Sequence, residues 1–265
     1  MKKYWLIFKL TIVEYFIYRL NFLLWRFRSL IFFLSLFFFW LAVYGQKESF
    51  LGYQKAQMLT YIVGIAFLRG LILSSRSTDL EADIYTGKLS SYLLRPQKIF
   101  KYYFVRDLAD KALNIFFVVL EVALVLRIFH FPFYFPASLL TVIWFVGLSL
   151  LAMVLFFILN VIASSLAFWT GSVWAPRWLI MIVFMEFMSG AFFPIDVLPS
   201  WASRLISLTP FPYLIYYPVK VWLEQTTILQ NYQILFILFL WIAILFLLFK
   251  VMWKRGLKIY SAHGG

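Results

Sequence analysis

The sequence predicts an all-α integral membrane protein, a single domain over residues 1–265 with six transmembrane helices. Three observations lead there. Of the 265 residues, 64% are hydrophobic and only 13% charged, far from the composition of a soluble globular domain. Apolar stretches recur at about the 20 residues that a helix needs to cross a bilayer. The basic residues behind a net charge of +13 are also unevenly placed, clustering in alternate connections as a membrane sorts them.

At the amino terminus, residues 2–21 contain no Gly or Pro, and Lys2, Lys9 and Arg19 fall within roughly 100° of one another at helical spacing. This pattern fits an amphipathic helix on the inner leaflet and equally a longer first span with a basic flank. The spans are placed at 29–46, 56–75, 110–129, 137–162, 177–195 and 228–252. The fourth starts after Pro136, a residue suited to a first helical turn. A long basic and aromatic stretch precedes the first span and no small-x-small site follows it, so cleavage is not expected.

With the amino terminus inside, the outer connections hold only Lys47, Lys55, Arg127, Arg204 and Lys220, while Arg69 lies within a span and is expected to snorkel to its inner end. Both termini are thereby expected in the cytoplasm, with the chain in the cell (inner) membrane. The positive charge reflects topology, and no nucleic-acid partner is expected.

Between spans two and three, "STDLEADIYTGKLSSYLLRP" is conspicuously polar. Thr78 and Glu81 fit a capping box, and Asp79, Glu81 and Asp83 gather where a helix dipole favours acids. Gly87 sits at a C-terminal glycine cap, followed by Lys88. A helix of about two turns fits between them, with Leu80 and Ile84 on one side. A second short segment ends at Arg95-Pro96. An ordinary solvated loop is the alternative.

Span three carries a polar stripe of Asp107, Asp110, Asn114 and Glu121, and span five carries Glu186. A carboxylate deep in a membrane should face other helices or a wet cavity, protonated or paired. Substrate contact and pairing with a neighbouring span both remain open for Glu121 and Glu186. Met181, Met185 and Met188 form another stripe, suited to ligands of varied shape or to plain packing. Residues 189–225 hold five prolines among many aromatics, which predicts two short helices dipping back into the outer leaflet.

No catalytic, cofactor or metal site is expected. Cysteine is absent, and the two histidines, His130 and His263, stand far apart. "YTGKLSS" has the Gly-Lys of a phosphate-binding loop but neither the earlier glycine nor the following hydroxyl.

Two stretches carry a family likeness. "ADIYTGKLSSYLLRP" resembles a pattern of the ABC-2 family transporter proteins, and "SGAFFPIDVLPSWASRLISLTPFPYLIYYP" resembles the Pro-aromatic run of the broader ABC-2 class of ATP-driven exporter permeases. The resemblance implies an amino-terminal elbow helix, a cytoplasmic coupling helix between spans two and three, and re-entrant extracellular helices before span six. It makes Asp79, Glu81, Asp83, Ile84, Gly87 and Lys88 an ATPase-docking surface, with Arg95 and Pro96 fixing its return. It sets Phe192, Phe193 and Pro194 at an outer gate. Asn114, Glu121, Met181, Met185, Glu186 and Met188 are the candidate substrate path. The implied partners are an ABC ATPase subunit in two copies, carrying ATP and Mg, and a second permease, identical or homologous, beside the membrane lipids. An ion-coupled secondary transporter and a non-transporting scaffold subunit are the alternatives. The apolar, Met-lined and aromatic interior suggests lipidic or amphiphilic cations, drugs or pigments as substrates.

Overall fold

The computed structural model describes residues 2–95, 98–170 and 180–260, with the side chains of 180–183 outside the description. Almost every element is helical, because an unpaired backbone amide is too costly in lipid. Helix α1 (Lys2–Ile17) is followed by α2 (Arg19–Tyr44) and α3 (Lys55–Leu68), which continues as a π-helical turn, Arg69–Leu73. Two short helices, α4 (Asp79–Tyr85) and α5 (Leu89–Leu93), precede α6 (Ile99–Phe129) and α7 (Leu139–Ser165). After a second π-helical segment, Ile180–Phe187, come α8 (Ser200–Ser207), α9 (Tyr216–Trp222) and α10 (Ile228–Ile259).

Among the described residues, five helices are long and apolar enough to cross a membrane: Arg19–Tyr44, Lys55–Leu73, Ile99–Phe129, Leu139–Phe168 and Ile228–Ile259. The beginning of the expected fifth span lies outside the described residues, and its described part is the π-helical segment. The two largest boundary differences from the sequence reading lie at helix starts. The first membrane-length helix starts at Arg19 rather than residue 29, because the break falls at Tyr18 and Arg26 finds an acid partner in Glu121. The third begins at Ile99, and at 1.5 Å per residue its 31 residues reach about 46 Å, well beyond the hydrocarbon core. The excess length accommodates first turns that carry Tyr103, Arg106 and Asp107.

One end of the bundle is built around α4 and α5, here the hook. Helix α1 reaches it through Glu14, α7 through the Ser164 hydroxyl on the Ser77 carbonyl (3.3 Å), and α10 through Gly256, whose missing side chain leaves room for the Phe168 ring. The hook, the Glu14 turn of α1 and the last turns of α10 thus lie together. Among the described residues, the most extensive helix packing is of α7 against α10 and of α1 along α6.

The opposite end holds the connections. Between α2 and α3, a hairpin pairs Ser49 with Gln54 and Phe50 with Tyr53, its two-residue turn formed by Leu51 and Gly52, both at positive φ. The Pro-rich region folds as α8 and α9, with a 3₁₀ turn before α8 (Ile195–Val197) and another between the two helices (Phe211–Tyr213), as a segment broken by five prolines must. It is bound down by Tyr53, whose hydroxyl donates to Asp196 (2.9 Å), and by Lys220 on the same carboxylate (2.7 Å).

Glu224 closes this end. In the left-handed region (φ +54°), it accepts from the Tyr134 hydroxyl (2.8 Å), the Thr141 hydroxyl (3.2 Å) and the Ala137 amide (3.1 Å) at the start of α7. These donors, Tyr134 first, lower its pKa below the usual 4.5. The carboxylate's contribution is therefore present above pH 4.5 and lost as pH falls through the lower folded value. Amide protection at residues 137–138 should drop on acidification in the wild type and lack that step in Glu224→Gln, as read by hydrogen exchange.

Candidate functional site

The hook is tied to the spans by charge. The expected capping box at Thr78 is not formed: Thr78 sits in a helical conformation within a 3₁₀ turn, Arg76–Thr78, and its hydroxyl donates to the Ser75 carbonyl (3.2 Å) without capping α4. The cap lies three residues earlier, where the Ser75 hydroxyl accepts from the Ser77 amide (3.2 Å). Gly87 does terminate α4 in the left-handed region (φ +77°), its amide donating to the Ile84 carbonyl (3.2 Å). Leu80 and Ile84 are both buried, on the side facing the spans.

The acids of α4 are not one exposed patch. Asp83, 6% exposed, accepts a 2.6 Å hydrogen bond from Tyr103 of α6 and faces Lys88 at 3.7 Å. Asp79 lies 3.0 Å from Arg106, which also holds Glu14 of α1 at 2.8 Å. Burial raises the Asp79 carboxyl above its usual range, and Arg106 and Arg76 pull it back down. A single guanidinium therefore joins α1, α4 and α6. Glu81 is half-buried. The side chains that α4 and α5 turn outward are Tyr85, Leu93 and Leu94, with Lys88 and Arg95 beside them, and Leu94 is 88% exposed. Pro96 lies outside the described residues.

Directly beneath is a second buried group. Lys111 and Asp107, 2% and 1% exposed along their side chains, form an ion pair one turn apart on α6 at 3.3 Å. The Lys111 ammonium also donates to the carbonyls of Ile72 (3.1 Å) and Ser74 (2.6 Å), which the π-helical turn leaves without helical partners. Asp107 in turn accepts from the Arg76 amide (3.1 Å) and the Ser75 hydroxyl. The join between span two and the hook is thus clamped on both sides by one pair.

Deeper, the polar stripe of α6 opens onto a cavity of about 810 Å³ bounded by α2, α3, α6, α7 and the second π-helical segment. It brings together Asn114, Glu121, Met185 and Glu186 of the expected path. Met188 packs in the apolar core instead, and the Met181 side chain lies outside the description. Both glutamates are paired. Arg26 holds Glu121 through two nitrogens, Nε at 3.0 Å, and reaches Asn114 with a third at 3.2 Å. Arg69 meets Glu186 at 2.8 Å with its guanidinium 4.1 Å from the Phe32 ring. A carboxylate thus holds one of its nitrogens and an aromatic face covers the guanidinium. Asp110 accepts from Tyr15 of α1 and from Asn114 (3.1 Å).

Arg69 begins one π-helical segment and Glu186 lies within the other. Such turns widen the helix and weaken its hydrogen bonding, and they concentrate at functional sites. Above the cavity, Phe192 meets Phe32 edge-on (5.6 Å) and its carbonyl accepts from Trp40 (3.2 Å). Phe193 packs on Phe187 (5.4 Å), and Pro194 is buried. Gly190 adopts φ +83°, and a Cβ there would meet the Tyr61 hydroxyl at 2.6 Å, which explains a glycine at this corner.

Sequence reading missed Arg26, Arg69, Arg106 and Lys111. Only the Asp107–Lys111 pair had a local signal, opposite charges four residues apart. Arg26 and Glu121 are 95 positions apart, and only folding brings them together.

No curated protein and no solved structure matches the chain. A family model described as ABC-2 family transporter protein matches residues 30–264, taking in the hook, the Pro-rich end and the cavity lining apart from Tyr15 to Ser29. Together with the multi-pass helical architecture, this makes the chain a member of the ABC-2 family of transporter proteins, a permease-type membrane subunit of an ABC transporter.

Proposed function

We propose that residues 1–265 form one six-span permease domain of an ATP-driven exporter, working with a separate ATPase in two copies and with a second permease, identical or homologous. In this reading the hook is a coupling helix on the cytoplasmic side of the inner membrane, with both termini beside it. Helix α1 is the elbow, α8 and α9 are re-entrant, and Phe192, Phe193 and Pro194 form the outer gate. ATP and Mg bind the partner, since "YTGKLSS" cannot cradle phosphates.

One observation carries the reading. The hook is anchored inward by Asp79, Asp83, Leu80 and Ile84, while Tyr85, Leu93 and Leu94 stand uncovered beside Lys88 and Arg95. A rigidly held projection with an uncovered apolar and aromatic tip is suited to entering a groove and passing force to the spans. The tip, rather than the acids, is the docking surface proposed here, with Gly87 shaping it and Glu81 at its edge.

The test is co-purification with the cognate ATPase. Tyr85→Asp combined with Leu94→Asp should lower the ATPase recovered by at least about tenfold, consistent with the loss of two apolar anchors, and leave the thermal stability of the permease unchanged. Full recovery of the ATPase by this variant would sink the proposal. The pairing of Glu121 and Glu186 with arginines weighs against the ion-coupled alternative, which needs carboxylates able to exchange their ions.

A further inference from the structure

In the cavity between α2, α3, α6 and the second π-helical segment, both glutamates are paired with arginines, and among the described residues the charged groups that keep a buried atom without a partner are Arg69 (Nη1) and Asp110 (Oδ2). Glu121 has both oxygens on Arg26, and Glu186 is met by Arg69. Arg69 spends one nitrogen on that bond. Its Nη1 is buried and has no acceptor among the described residues. Arg28 lines the same cavity from its rim, 4.9 Å from the Trp25 ring, and no described carboxylate lies within ion-pair distance of it. A buried guanidinium N–H without an acceptor is costly, and an anionic oxygen supplied by a ligand would remove that cost.

Part of the remaining wall is apolar (Phe32, Phe33, Leu36, Ile65 and Met185), and part is polar (Arg76, Asp79, Asp110 and Asn160). The volume, about 810 Å³, suits a small amphiphile rather than a single ion.

We propose that this cavity binds an amphiphile whose head carries an anionic oxygen group (phosphate, carboxylate or sulfate), the head meeting Arg69 and Arg28 and the chain lying along Phe32, Phe33 and Met185. An incoming anion competes with Glu186 for the Arg69 guanidinium. The weakly bonded π-helical turns that carry both residues allow the exchange. The ligand class is the reverse of the amphiphilic cations that composition suggests. As a substrate site it rests on the permease reading; as a binding site it does not.

The test uses the full chain in phosphatidylcholine nanodiscs, without any ATPase, and three dodecyl probes followed by thermophoresis: dodecyl phosphate, dodecyltrimethylammonium and dodecyl maltoside. Dodecyl phosphate should bind at least about tenfold more tightly than the other two, the size expected of one charge-assisted contact. Glu186→Gln, which frees Arg69, should strengthen it several-fold. Arg69→Gln with Glu186→Gln, which removes both charges and leaves neither unpaired, should abolish the preference. Equal or tighter binding of the ammonium probe, with Asp110 Oδ2 as the unpartnered acceptor that would favour it, overturns the proposal. So does a phosphate preference that survives in the double variant.

Phosphatidylglycerol retained from mixed membranes by the wild type and not by the double variant would assign the site to a lipid headgroup. Equal lipid retention with the probe preference intact would assign it to a non-lipid amphiphile. Both outcomes support the anion site. Failure here overturns the ligand class alone, and failure of ATPase co-purification overturns the transport reading alone.

Discussion

Lys111→Met is expected to destabilise the fold by about 3–5 kcal/mol, the range for breaking a buried pair from one side. The ammonium is fully enclosed and serves three acceptors: Asp107, the Ile72 carbonyl and the Ser74 carbonyl. Methionine fills much of the same volume and answers none of them. Asp107 would be left charged and buried, and two carbonyls at the end of the π-helical turn would lose their donor. In a thermal melt of the purified chain this corresponds to a Tm lower by about 6 °C or more, taking roughly 2 °C per kcal/mol for a chain of this size.

Lys111→Met combined with Asp107→Asn should recover a substantial part of that loss, because the unpaired charge is gone while the Ser75 and Arg76 donors keep an acceptor. A single variant that melts with the wild type would show that the pair does not clamp the join between span two and the hook.

Arg26→Gln is the second large effect. Its guanidinium is 7% exposed and satisfies Glu121 through two nitrogens and Asn114 through a third. Removing it leaves a carboxylate in the cavity without its counter-ion, at a cost of about 3–5 kcal/mol unless the acid takes up a proton. Glu121→Gln alone strands the guanidinium instead and should also destabilise. The double variant Arg26→Gln/Glu121→Gln should lie well above the sum of the singles, with a coupling of about 1–3 kcal/mol in a double-mutant cycle. Strict additivity of the two losses would mean that the pair contributes nothing as a pair. The cycle should be read alongside transport: a double variant that folds and does not transport gives the pair a role beyond stability.

The elements that the chain determines by itself are those set by short-range chemistry. Runs of Phe, Leu, Ile and Val as long as a bilayer is thick can only be helices there, so the membrane class, five of the spans and their order were legible, as was the Pro-broken region before the last span. Gly87 could be read as a helix stop because only glycine enters the left-handed region without strain. The family motifs were legible for the same reason, being local strings of residues.

What the tertiary structure decided is which charges meet. The acids of the hook look solvent-facing in sequence, since a capped acidic helix usually is. Folding instead turns Asp79 and Asp83 inward onto Arg106 and Tyr103, and exposes Tyr85 and Leu94. Arg26 and Arg69 look like topological charges, and each becomes the partner of a glutamate more than ninety positions away. Coulomb attraction and desolvation depend on separations in space and on local dielectric, neither of which is written in the order of residues. Periodicity could say that Glu121 must face something; only the tertiary packing settled that it faces Arg26, and that Arg69, paired with Glu186, keeps one buried nitrogen without an acceptor among the described residues.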